Sequence, residues 1–325
     1  MSVTNNKRPF AVTLLRRLKG GMNYLADRLL FGRRAGLLAT FFLLLTLAII
    51  GRILVANWEL IRTYQWQFRP VWLLYALLFF LIDLLLATWA WHLLTIRLAG
   101  YDNFRQSAKI CWSANLARRI PGPIWYIAGR ALLYEKEGVS KATISLLSAL
   151  ELLFFLVSGL ITVALTLPFW VLPAAFVSNL SQYWFFLLLL PLTLLCVHPR
   201  FLEKVWHMLN RTPLPTRLKW RDTIVWLWLY VLTWIVGALV LFTVINLVQP
   251  LPPGKIIVII GVWALAGSVS LAGSLTISVI GLREASLALL LTSLVPAPIA
   301  LIVAVAVRIV WLAGEFLSVL LAWRL

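Results

Sequence analysis

Long apolar runs separated by short polar stretches dominate the pattern of this chain. A helix needs about 20 mostly apolar residues to cross a bilayer. The pattern therefore predicts an all-α polytopic membrane protein with about six full transmembrane helices. The candidate spans are residues 36–56, 71–98, 142–167, 183–198, 223–248 and 298–323, of which 183–198 is the shortest.

Two further apolar stretches, residues 104–134 and 255–294, contain helix-breaking residues near their middle. The first is interrupted at Pro121 and Gly122, and the second at Gly273. Each predicts a helix, a break and a second helix, because glycine and proline interrupt the helical backbone. The small residues assigned to the two breaks and the segments after them are Pro121, Gly122, Gly129, Gly273 and Gly281.

Each broken stretch lies between two full spans, so the chain contains two similar units. If both stretches are re-entrant hairpins, the two units have opposite orientation and form an inverted repeat, as in many transporters. The alternative is that the hairpin arms are themselves full spans, which gives eight or more spans. Residues 255–273 are long enough for this at about 1.5 Å per residue.

Lysine and arginine alternate between the connecting segments and predict the orientation. Residues 1–35 hold eight, residues 97–141 eight and residues 199–222 six. The intervening segments 57–70, 168–182 and 249–255 hold two, none and one. Cytoplasmic loops are rich in these residues, so we expect a multi-pass protein of a bacterial or archaeal plasma membrane with both termini in the cytoplasm.

Composition agrees with a membrane protein. Of the 325 residues, 62% are hydrophobic and 12% are charged, whereas soluble domains carry about 25% charged residues. The net charge of +18 resides in the loops, which argues against nucleic-acid binding. We divide the chain into a basic cytoplasmic segment, 1–35, and one transmembrane domain, 36–325. Residues 10–31 are either an amphipathic helix on the inner leaflet or a disordered basic tail.

Charged residues inside the apolar stretches are the candidates for function. A charge at the centre of a span costs about 2.5–3.5 kcal/mol on insertion scales, so each needs a partner or a polar cavity. One interpretation is a set of structural ion pairs, and the other is a cavity for a charged ligand. The residues in question are Arg283 and the five predicted charge partners or proton acceptors: Asp83, Glu151, Glu284, Arg308 and Glu315.

Two arginines occupy similar places in the two broken stretches. Arg130 follows Gly129, and Arg283 lies two residues after Gly281. Two cations near converging helix ends are typical of a phosphate site, because helix N-termini and guanidinium groups both favour anions. We therefore predict that Arg130 and Arg283 form a phosphate-binding site.

At these residues the chain resembles the transmembrane region of bacterial lysylphosphatidylglycerol synthases, a flippase-like family. The resemblance covers roughly residues 35–322. The chain departs from the family pattern at residues 276–280, where the family has proline and a glycine pair. It also departs at Leu152, where the family has arginine. Its motifs are Asn115, Pro121-Gly122 and Gly129-Arg130, then Gly138-Val139-Ser140 and Glu151, and finally Gly281-Leu282-Arg283-Glu284-Ala285.

The resemblance implies lipid translocation without the soluble aminoacyl-transferase domain of the full-length synthases. It adds Asn115 to Arg130 and Arg283 as predicted headgroup-binding residues. We expect a translocator of an anionic phospholipid or a polyprenyl-phosphate-linked lipid. The alternative is a non-catalytic membrane partner of a glycosyltransferase or of a cell-envelope lipid pathway.

A membrane-embedded transferase is the less favoured class, so we expect no enzymatic activity, catalytic residue, metal or cofactor. Such enzymes need acidic residues outside the membrane as a base or as metal ligands. On the predicted topology the outer loops offer only Glu59. The sequence does not identify the lipid, the direction and energy source of transport, or the oligomeric state.

Overall fold

The fold is described from a computed structural model. It covers residues 58–64, 66–115, 123–170, 194–210, 217–276 and 282–324, with single positions at 44, 48, 51, 52, 55, 56, 191 and 214. The predicted segment 10–31 and most of the predicted spans 36–56 and 183–198 lie outside the described residues.

Within the described residues the protein is helical and contains no strand. Short 3-10 turns at Leu167–Phe169 and Pro253–Lys255 adjoin two of the helices. The helices are α1 Trp58–Arg62, α2 Val71–Ala99, α3 Phe104–Ala114, α4 Pro123–Glu135, α5 Lys141–Thr166, α6 Pro199–Asn210, α7 Trp220–Val248, α8 Ile256–Thr276, α9 Leu282–Leu291 and α10 Ala297–Arg324.

Five of the described helices are long and apolar enough to cross a membrane: α2, α5, α7, α8 and α10. Four of them match predicted spans to within a few residues. The fifth, α8, corresponds to the first arm of the second broken stretch. These five helices confirm the prediction of a multi-pass helical membrane protein by their length and composition.

The predicted break at Gly273 is wrong, because α8 continues through this residue to Thr276. A Cβ atom at position 273 would collide with the side chain of Leu282 in α9. The glycine therefore lets α9 approach α8 closely instead of ending the helix. Gly129 likewise lies inside α4, while Pro121, Gly122 and Gly281 lie outside the described residues.

Local sequence accounts for the helix ends around the first unit. Gly100 adopts a left-handed conformation with φ of 67° and donates its N–H to the last carbonyls of α2, as glycine does after many helices. The side chains of Asn103 and Ser140 cap α3 and α5 by accepting backbone N–H groups of Gln106 and Thr143, which satisfies donors that have no partner within the helix.

The long helices α2 and α7 pack antiparallel against each other. Near one end, Arg97 of α2 forms an ion pair of 3.1 Å with Asp222 of α7. Near the other end, the rings of Trp72 and Phe242 are 6.0 Å apart. The end of one helix therefore meets the start of the other.

The helix contacts follow a two-fold pattern when α2–α5 are matched in order with α7–α10. Helix α5 contacts α8, and correspondingly α10 contacts α3. Helix α7 contacts α5, and α2 contacts α10. The main helix contacts inside the group α2–α5 likewise have counterparts inside the group α7–α10.

Two glycines occupy equivalent places in this pattern. Gly159 of α5 packs against Ser268 of α8 and Trp234 of α7, and Gly314 of α10 packs against Phe80 of α2. Each glycine lies about two thirds of the way along its helix. In both places the missing side chain admits an aromatic ring from the first helix of the other half.

Candidate functional site

The first-half site is an ion pair between Arg130 of α4 and Glu151 of α5. The guanidinium Nη1 donates a short hydrogen bond to Glu151 Oε2. Only 3% of Arg130 and 7% of Glu151 is exposed. Burial of this kind requires pairing, since a lone buried charge costs several kcal/mol.

Aromatic side chains enclose the Arg130 guanidinium on both faces. Its central carbon lies 4.0 Å from the ring centre of Trp91 and 4.2 Å from that of Tyr126. The indole N–H of Trp91 donates to the Tyr134 hydroxyl at 2.8 Å, and that hydroxyl donates to Ser107 at 3.0 Å. The arginine is therefore fixed by one carboxylate and two rings, with its charge neutralised.

The second-half site lies between α9 and α10. Glu284 Oε1 is 3.4 Å from Arg308 Nε, with 18% and 29% of the two side chains exposed. Arg283 lies over the rings of Trp263 at 4.2 Å and Trp311 at 5.5 Å. This cluster holds two cations and one anion and is more open than the Arg130 pair.

A small cavity of about 10 Å³ lies in this second cluster, which is room for about one water molecule. Arg308 lies near the middle of α10, so the cavity is at the depth of the bilayer interior if α10 spans the membrane. The residues that line it all belong to α9 and α10: Arg283, Glu284, Leu287, Ala304, Val307, Arg308 and Trp311.

The predicted site residues therefore fall into two groups and do not line a single cavity. The described partners of Arg130 come from α2, α4 and α5, whereas those of Arg283 come from α8 and α10. Asn115 belongs to neither group: it is buried at the end of α3, and its amide donates to Ser318 of α10 at 3.4 Å.

Asp83 and Glu315 are half-buried on α2 and α10. Phe80, three residues before Asp83, packs against Gly314, the residue before Glu315. Arg308, Glu315 and Ser318 follow one another along one face of α10, since residues separated by three or seven positions lie on the same side of a helix. This polar face runs from the cavity to Asn115.

Sequence reasoning missed the tryptophans that hold the arginines. Tryptophans commonly anchor helix ends at the membrane interface, and Trp58, Trp220 and Trp323 are exposed at helix ends. Trp91 and Trp263 are almost fully buried and lie against arginines instead. Their positions inside apolar runs, away from the ends, were the available signal.

Among the residues that the structure describes, no group of three or more His, Cys, Asp or Glu side chains is arranged to hold a metal ion. Comparison with known proteins does not identify a relative: no family model, no curated protein and no solved structure matches the chain.

Proposed function

We propose that this protein is a lipid translocator that moves an anionic phospholipid or a polyprenyl-phosphate-linked lipid across the membrane. The observation that carries the proposal is the cluster of Arg283, Arg308 and Glu284 around a cavity near the middle of α10. The two guanidinium groups at this cavity are the kind of group that grips the oxygens of a phosphate. Charged side chains inside a bilayer are costly and commonly mark a substrate or ion pathway.

The helix packing supports an inverted-repeat architecture for this function. Matching α2–α5 with α7–α10 makes α2 equivalent to α7, and these two helices are antiparallel. The two-fold axis that relates antiparallel membrane-spanning helices lies in the plane of the membrane. Transporters built in this way place their substrate site at the interface of the repeats and expose it to each side in turn.

The short helices α4 and α9 correspond to the second arms of the two hairpins. Helix α9 is held between α8 and α10 and carries both Arg283 and Glu284. Because the cavity holds only about one water molecule, a headgroup enters when α9 separates from α10. The motif resemblance to the flippase-like family favours the same function.

Conservative substitutions test the proposal. Arg283→Lys and Arg308→Lys keep the charge but remove the planar fork that grips two phosphate oxygens. In proteoliposomes with a fluorescent phosphatidylglycerol or polyprenyl phosphate, we expect transport to fall about tenfold or more, with thermal stability unchanged. Arg97→Lys, in the ion pair at the end of α2, is the matched control and should transport normally.

The opposite result would arise if this cluster were only structural. Lysine variants would then transport as well as the unaltered protein, and the double variant Glu284→Leu/Arg308→Leu would be stable and equally active. That combination would contradict the proposal.

A further inference from the structure

Helix α6 packs across one end of the first half of the protein. Leu202 and Trp206 are almost fully buried in the same core cluster as Leu98, Ile144 and Trp226. These three residues lie near the end of α2 and the starts of α5 and α7. Helix α6 is therefore fixed at the level where these spans leave the bilayer.

Two contacts hold the chain on either side of α6. The backbone N–H of Leu218 donates to Glu203 Oε1 at 2.8 Å, and the ring of His198 lies 4.6 Å from that of Trp220. Asp222, the other acidic residue of the segment 199–222, is paired with Arg97 and also accepts the N–H of Lys219. Both acids are thus occupied by groups of the protein itself.

The outer surface of this region combines cations with apolar side chains. Phe201 is 45% exposed, Met208 69% and Trp220 54%. Phe201, Lys204 and Met208 share one face of α6, since they are separated by three and four positions. The exposed cations around them are Arg200, Lys204, Arg217, Lys219 and Arg221.

We propose that this surface, which we term the α6 face, binds the anionic headgroups of the adjoining membrane leaflet. Basic residues interleaved with exposed Phe, Met and Trp are the composition of helices that lie in the headgroup region. The apolar side chains enter the acyl boundary while Lys and Arg contact the lipid phosphates. An acidic soluble protein would match the cations but would leave Phe201 and Met208 without lipid contact at this depth.

The inference is independent of the transport proposal, because it concerns the opposite half of the protein from the α9–α10 cluster. The binding is a local enrichment of anionic lipid beside α2, α5 and α7.

Lipid-specific quenching tests the proposal in the full-length protein. A fluorescent probe is attached at His207→Cys in a Cys196→Ser background, where Cys111 is buried. The protein is placed in nanodiscs of phosphatidylcholine with a minority of phosphatidylglycerol, and a shallow quencher is carried by one lipid or the other. We expect the phosphatidylglycerol quencher to be about threefold more effective at equal mole fraction. This preference should shrink at high salt.

The variant Arg200→Gln/Lys204→Gln should bring the two quenchers close to equal effect. The matched control Arg69→Gln/Lys255→Gln removes two exposed cations just before the starts of α2 and α8, opposite the α6 face, and should keep the preference. Lys204→Gln alone serves if the double variant folds poorly.

Equal quenching by the two lipids in the unaltered protein would overturn the proposal. Absence of quenching by either lipid would overturn it as well, since the α6 face would then lie in water or beneath a protein. Inorganic phosphate added in solution should not displace the lipid preference beyond the effect of matched ionic strength. If it does, the surface binds free anions and not headgroups.

Discussion

The two halves of the protein each carry an ion pair between a short helix and the long helix that follows it. The two pairs differ in which helix carries the arginine and in how deeply the pair is buried. In the first half the arginine lies on the short helix α4 and the glutamate on α5. In the second half the glutamate lies on the short helix α9 and the arginine on α10. The first pair is almost fully buried, whereas the second is partly exposed and lies with Arg283 at a small cavity.

The difference shows that equivalent positions in a repeated fold need not have equivalent roles. A buried, neutral pair holds helices together and offers no charge to a ligand. A partly exposed cluster at a cavity is more accessible to an anion than a pair with less than a tenth of its surface exposed. We therefore propose a structural role for the Arg130 pair and headgroup binding for the Arg283 cluster.

The largest effect should come from removing one partner of the buried Arg130–Glu151 pair. Glu151→Ala leaves Arg130 charged and buried, and we expect the free energy of unfolding to fall by about 3–5 kcal/mol. Glu284→Ala should lower it by about 1–2 kcal/mol, because Glu284 and Arg308 are partly exposed and screened. Denaturant titration of the purified protein in detergent measures both values.

The double variant Arg130→Leu/Glu151→Leu should recover most of the stability lost in Glu151→Ala, because no charge is then stranded. Similar losses for Glu151→Ala and Glu284→Ala would remove the distinction between the two sites.

A middle-sized effect should come from the two glycines that admit aromatic rings. Gly159→Ala places a methyl group against the Ser268 hydroxyl and Trp234, and Gly314→Ala places one against Phe80. Overpacking of this kind costs about 1–3 kcal/mol, which exceeds the gain in helix propensity of about 1 kcal/mol. Gly254→Ala, where no atom lies within 4 Å of the added carbon, should stay within about 0.5 kcal/mol.

Because both glycines admit an aromatic ring from the first helix of the other half, their losses should be of the same order, although Gly159→Ala also displaces the Ser268 hydroxyl. Phe80→Leu should restore part of the stability of Gly314→Ala by making room for the methyl group. Losses that differ widely, or no rescue by Phe80→Leu, would weaken the equivalence of the two halves.

The sequence predicted the long spans well and the short helices less well, for a physical reason. Apolar runs such as 71–98 and 223–248 are long enough that only a membrane satisfies them. Gly273 was ambiguous, because glycine both breaks helices and allows close packing. Its role depends on Leu282, a residue on another helix.

The charge pairing was likewise beyond the sequence. Glu151 and Arg308 were recognised as needing partners, but pairing depends on which faces of α5 and α10 meet the short helices. The sequence pattern also treated Arg130 and Arg283 alike, since each follows a glycine in a broken stretch. Their difference arises in the tertiary structure, where Trp91 and Tyr126 bury Arg130 whereas Arg283 lines a cavity.

The smallest effect should come from the ion pair that joins the ends of α2 and α7, and it tests whether burial decides the value of a pair. Arg97 and Asp222 have 34% and 16% of their side chains exposed, so water and salt weaken their attraction. Asp222→Asn keeps an oxygen to accept the Lys219 N–H and loses only the charge, so we expect a loss of about 0–1 kcal/mol. Asp222→Ala also removes this cap and should lose about 1–2 kcal/mol.

The loss in Asp222→Asn should vanish in high salt, whereas that in Glu151→Ala should persist, because counterions do not reach a pair with less than a tenth of its surface exposed. Salt-dependent denaturation of both variants measures this contrast, and a salt-insensitive loss in Asp222→Asn would show that exposure is not what separates the pairs.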